Sequence, residues 1–161
     1  MKRTALLLLL LLLFSACGRP AAVRFEPNRY FTLDFTLETG DYTIEGKVTC
    51  NAYNDIRLSF THPPLLGYFT VRAAAEGFVT DVAGAGDTID ARQVPTFAPV
   101  NILCEAIRTA VFTRTPFTKN DAGDYETRFP LGNAEITVTF APEGTIREIE
   151  CPERKIRVEF F

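Results

Sequence analysis

The sequence predicts a mainly β domain: a curved antiparallel β-sheet, or half-barrel meander, with one covering helix. Three observations carry this. From Tyr30 onward apolar and polar residues alternate with period two, turn signals punctuate the alternation, and only residues 99–112 switch to helical spacing. Fourteen Phe and no Trp among 161 residues give the dry face its bulk.

The first residues stand apart from this pattern. Lys2 and Arg3 precede ten apolar residues, Ala5 to Phe14, eight of them leucine. A spanning helix needs about 20, whereas a secretory signal has a shorter apolar run followed by small residues. The expected division is a signal peptide over 1–16, a lipid anchor and short linker over 17–29, and a single domain over 30–161. Phe14-Ser15-Ala16-Cys17 resembles the lipobox of bacterial lipoproteins, in which cleavage falls just before the cysteine and its thiol takes a diacylglycerol. That resemblance implies lipid attachment at Cys17 and a place in the cell envelope. The place would be the outer face of the cytoplasmic membrane, or the outer membrane where the cell has one. Two or three acyl chains, at about 0.8 kcal/mol per buried methylene, make a firm tether.

The domain opens with Phe31, Leu33, Phe35 and Leu37 on one face and Thr32, Asp34, Thr36 and Glu38 on the other. A two-residue turn at Thr39-Gly40 would pair Leu37 with Tyr42 and Phe35 with Ile44, with Val48 and Cys50 continuing inward. Ile56, Leu58 and Phe60 make a third strand. "GYFTVRAAAEGFVTDVAG" reads as two shorter strands around Ala75-Glu76-Gly77, and the stretch after it as loop with a small strand at 87–91. Pro99 then opens a helix over about 99–112, because Leu103, Cys104, Ile107, Ala110 and Val111 fall on one stripe opposite Glu105 and Arg108. Residues 115–124, "TPFTKNDAGD", read as a polar, mobile linker. Gly132-Asn133 is a tight-hairpin signal pairing Leu131 with Ala134, Phe129 with Ile136 and Tyr125 with Phe140. Two last strands follow, around Pro152-Glu153-Arg154, and their charged outer faces leave one side of the sheet wet.

Charge and cysteine usage narrow the function. Without Lys2 and Arg3, 15 basic residues face 20 acidic ones, a net charge of −5. No run of five basic residues occurs, which argues against nucleic acid and against an electrostatic grip on anionic lipid. Cys50, Cys104 and Cys151 match no metal spacing, and buried thiols are expected in preference to a Cys50–Cys151 bridge. The sole histidine, His62, lacks a nucleophile motif beside it. The acids at Asp81, Asp87 and Asp90, and at Asp121, Asp124 and Glu126, lack the calcium-loop intervals. No catalytic role, metal or cofactor is expected.

The order of features is a lipobox, a long hairpin, a third strand ending in "LSFTHPP", strands around "RAAAEGFVTDVAG" and a helix. The closing meander carries Val138, Phe140, Gly144 and Ile146. This layout resembles the LolA/LolB-like lipoprotein carriers and receptors, and related mycobacterial lipid-binding lipoproteins. The resemblance implies a half-closed sheet with an apolar hollow for acyl chains. Two readings lead, beside a third, an anchored hydrolase, which would need a polar pocket around His62 or paired acids. One is a membrane-anchored lipoprotein binding a lipid, or another lipoprotein's acyl chains, between sheet and helix. Its ligand-facing residues would be Phe31, Phe35, Phe60, Leu103, Ile107, Val111, Phe129 and Phe140. The other is a structural or interaction lipoprotein with a filled core, whose partner is an envelope protein.

Overall fold

A computed structural model of the chain describes residues 25–51, 54–74, 77–82, 85–90 and 98–161. The signal, Cys17, the first part of the linker, the Ala75-Glu76 turn and residues 91–97 lie outside the described residues. Among the described residues the fold is mainly β, with eleven strands in one antiparallel sheet and a single α-helix.

The strands are β1 (Phe31–Glu38), β2 (Thr43–Cys50), β3 (Ile56–His62), β4 (Phe69–Ala74), β5 (Gly77–Val82) and β6 (Ala85–Asp90). After helix α1 (Pro99–Phe112) come β7 (Thr118–Lys119), β8 (Tyr125–Leu131), β9 (Ala134–Phe140), β10 (Ile146–Cys151) and β11 (Ile156–Phe160). Their order across the sheet is β6-β5-β4-β3-β2-β1-β11-β10-β9-β8-β7. Two meanders therefore join at a β1–β11 seam, where Phe35 lies opposite Phe160 and Leu37 opposite Val158. The outermost strands, β6 and β7, are not paired with each other, so the sheet is not closed into a barrel.

The alternation puts the expected residues in the core: Phe35, Leu37, Ile44, Val48, Cys50, Ile56, Leu58 and Phe60 are all buried. The β8–β9 hairpin has the expected register, with Leu131 opposite Ala134, Phe129 opposite Ile136 and Tyr125 opposite Phe140. Gly132 supplies the positive φ, 63°, that a tight turn requires.

The first hairpin departs from expectation. Its last pair is Glu38–Thr43, so four residues form the loop, Leu37 meets Ile44 and Phe35 meets Gly46. Thr39 explains the longer loop. Its hydroxyl accepts from the amides of Asp41 and Tyr42, both at 3.3 Å, and donates to the Tyr42 carbonyl. Tyr42, placed inward by the two-residue turn, is instead 51% exposed.

Two other segments differ as well. The sixth strand spans Ala85–Asp90 and pairs along the whole of β5, rather than being a short piece within a loop. The stretch 115–124 is not a plain linker: Thr118 and Lys119 pair with β8, and an Asn120–Asp124 turn follows. In that turn Asn120 Nδ2 donates to Glu126 at 2.7 Å, and Arg147 bridges to Asp124 at 3.3 Å. The acidic cluster there is tied into the fold.

Helix α1 touches both halves of the sheet. The helix packs on β9, and Arg108 Nε donates to Asn54 Oδ1 at 3.1 Å, at the entrance to β3. Five strand spacings, about 24 Å along the sheet, separate β3 from β9. The 14-residue helix is about 21 Å long, enough with the Arg108 side chain to reach both. Among the described residues, the eleven strands, α1 and the packed core lie between residues 25 and 161.

Candidate functional site

The candidate site is the dry face of the sheet and the helix packed against it. Residues Asn101 to Val111 give α1 a broad buried stripe, and Leu103, Ile107 and Val111 form one line along it at four-residue steps. Pro99 suits the first helical turn, and the helix stops where the Thr113 amide and hydroxyl both donate to the Thr109 carbonyl. On the far side Arg108 pairs with Glu105.

The sheet contributes aromatic groups on either side. Phe35 and Phe60 meet edge-on at 6.4 Å on the β1–β3 side. On the β8–β9 side Phe140 sits 5.7 Å from both Phe25 and Phe117, and Phe25 stacks on Tyr125 at 4.2 Å. Of the eight residues expected to face a ligand, Phe35, Phe60, Leu103, Ile107, Val111 and Phe140 are buried, while Phe31 and Phe129 are partly buried against the same core. Sequence reasoning missed Phe25 and Phe117, each a single aromatic in a polar stretch with no period to mark it. The Asn28 amide donates to the Gly144 carbonyl at 2.9 Å and holds the entry segment in place.

Polar chemistry in the trough is sparse. Thr127, 1% exposed on the inner face of β8, has a buried hydroxyl with no partner among the described residues. All three described cysteines are free and buried, as the sequence leads one to expect. Burial pushes the Cys50 and Cys104 thiols up to about 12, so both stay protonated at ordinary pH. Among the described residues no group of three or more His, Cys, Asp or Glu is placed to hold a metal.

The outer face is wet and charged. Asp34 pairs with Lys47 at 3.3 Å, and Arg157 with Glu148 at 2.5 Å and Glu159 at 2.9 Å. Asp55 pairs with Arg72 at 2.6 Å and Arg57 at 3.4 Å. Burial raises the Asp55 carboxyl, but the two arginines outweigh it and hold the group below its usual range. Leu65 and Tyr68 project from a short 3-10 turn, Pro64–Tyr68, at 75% and 65% exposure.

Clefts open at both ends of α1. One of about 330 Å³ lies between Pro99, the Thr39–Tyr42 loop and Lys155. Another, of about 450 Å³, lies between Val111, Phe117 and the entry segment at Phe25. No protein-family model matches this chain, and no curated protein matches it.

Proposed function

We propose that this chain is a cell-envelope lipoprotein, tethered through a lipid on Cys17, that takes acyl chains of a lipid or of another lipoprotein between its sheet and α1. It sits outside the cytoplasm, on the cytoplasmic membrane's outer face or in the outer membrane of a two-membrane cell. The observation that carries the reading is an apolar sheet face covered by the buried stripe of one 14-residue helix, in a sheet that is not closed into a barrel. The same architecture supports the LolA/LolB-like resemblance read from the sequence.

The energetics allow α1 to act as a lid. Undocking Ile102, Leu103, Ile107 and Val111 costs about 6–12 kcal/mol, at 1.5–3 for each buried side chain. An acyl chain of about fourteen methylenes returns about 11 kcal/mol at 0.8 each. For an acyl chain arriving from water the two figures are of similar size, which supports an acyl chain taking the helix's place on the sheet. A ligand oxygen could also satisfy the unpaired Thr127 hydroxyl.

One observation favours the second reading, an interaction lipoprotein with a filled core. Ile102, Leu103, Ile107 and Phe140 have 0% exposure, so no water-sized void borders them while α1 is docked. Native mass spectrometry of residues 17–161 carrying Cys17→Ser separates the two. A stoichiometric lipid, carried from the cell or taken up from envelope lipids, is expected. A clean apo mass after that incubation would remove the receptacle and leave a protein-binding role.

The role is binding, without catalysis. His62 is exposed at the end of β3, and His62→Ala is expected to leave ligand uptake and stability within about 0.5 kcal/mol of the parent. A folded His62→Ala protein that lost its cellular function would instead point to a hydrolase.

A further inference from the structure

We propose that the cleft at the C-terminal end of α1 binds the anionic phosphate head group of a phospholipid. Phe25, Val111 and Phe117 give the cleft apolar walls, and Arg29, Arg114 and Glu26 supply its charges. Its volume, about 450 Å³, falls in the range of small-molecule sites.

The pairing of the arginines singles this cleft out. Arg57 and Arg72 share Asp55, Arg108 pairs with Glu105, Arg128 with Glu126, Arg147 with Asp124, and Arg157 with Glu148 and Glu159. Arg154 donates to Asn133 at 2.7 Å. Among the described residues Arg29 and Arg114 alone of the arginines lack a carboxylate or amide partner, and both border the same cleft. In a chain with more acids than bases, two uncommitted guanidiniums beside apolar walls form a local exception. A guanidinium is suited to phosphate oxygens, and aromatic walls beside it suit the glyceride carbons that follow a phospholipid's phosphate. Thr115, whose hydroxyl is buried without a partner among the described residues, also lines the cleft.

The position fits the same ligand. Val111 belongs both to the buried stripe of α1 and to the cleft lining, so the cleft abuts the end of the apolar trough. Phe25 lies eight residues beyond Cys17, a reach of at most about 28 Å. In a lipidated chain the cleft therefore stays near the bilayer surface. The inference deepens the acyl-receptacle reading by naming the head group, and rests on it for where the acyl chains go.

The test is calorimetric titration of residues 17–161 carrying Cys17→Ser with three soluble probes. These are dihexanoyl phosphatidylglycerol, dihexanoyl phosphatidylcholine and inorganic phosphate. The phosphatidylglycerol is expected to bind at least about tenfold more tightly than the other two. Arg29→Gln and Arg114→Gln should each weaken it about tenfold, and Glu26→Gln should strengthen it. All three side chains are exposed, so the variants keep the fold. Phosphatidylglycerol binding that ignores both arginines would overturn the cleft while leaving an acyl receptacle standing. Inorganic phosphate bound as tightly as the lipid would make this a free-phosphate site and overturn the lipid assignment. No binding of any probe would overturn the head-group cleft, and uptake of envelope lipid in the native mass measurement would then decide whether the acyl receptacle stands.

Discussion

Gly46→Ala is expected to destabilise the protein by about 3 kcal/mol, at the upper end of what overpacking costs. Gly46 sits in the middle of β2, between Phe35 on β1 and Phe60 on β3. An added Cβ would lie 2.3 Å from the Ser59 carbonyl oxygen and 2.9 Å from the Phe35 ring. The first contact is with backbone of a paired strand, which cannot rotate away. The second is with a ring only 1% exposed, itself edge-on to Phe60. Relief would require moving β3 or repacking both aromatic rings, on the side of the trough that faces a ligand. Urea unfolding of the Cys17→Ser chain reads the effect, with Gly67→Ala as a matched control. There the new carbon meets only the Phe60 carbonyl, at an ordinary 3.6 Å, so its midpoint should stay close to the parent's. Equal midpoints for the two variants would show that the β2–β3 contact around Gly46 is looser than described.

Gly46 also shows what the sequence could and could not convey. Alternation assigns each residue to a face, and that assignment holds along β1, β2, β3, β8 and β9. It is indifferent to a slip of two residues, because such a slip returns every side chain to the same face. The Gly132-Asn133 hairpin escaped this ambiguity because its turn chemistry admits two residues. The Thr39 loop did not, since its side chain stabilises a four-residue connection as readily as Gly40 would permit a shorter one. Putting Gly46, rather than Ile44, opposite Phe35 is the result.

The helix was legible, at about 99–112 against Pro99–Phe112, since a proline start and a clean apolar stripe mark it. The aromatic group around Phe140 was half legible. Phe140 and Tyr125 belong to periodic strands, whereas Phe25 and Phe117 are recruited from aperiodic segments by tertiary packing alone. The arginine cleft was invisible for the same kind of reason. Arg29 and Arg114 form no run, and only the fold brings them to one place.

Cys104 offers the largest expected effect, and it bears directly on whether α1 is a lid. Its side chain is wholly buried in the stripe facing the sheet, and burial moves its thiol from 9.0 to about 12. The reactive species is the thiolate. Near pH 8 a three-unit rise lowers the thiolate fraction about a thousandfold, before any loss of access is counted. With α1 docked, a maleimide or disulfide reagent should therefore label Cys104 at least about a thousandfold more slowly than an unfolded control. If an acyl chain enters by displacing the helix, Cys104 meets solvent, its thiol returns toward 9.0, and labelling should recover most of that factor. Peptide mapping distinguishes Cys104 from Cys50 and Cys151, which lie on the sheet and should remain protected by an acyl chain laid over them. Acceleration confined to Cys104 on adding a short-chain phospholipid is the expected result. Equal acceleration at all three sites would mean the lipid unfolds the sheet. No acceleration at any site, with lipid present in excess, would mean the helix never leaves and the filled core is the working state.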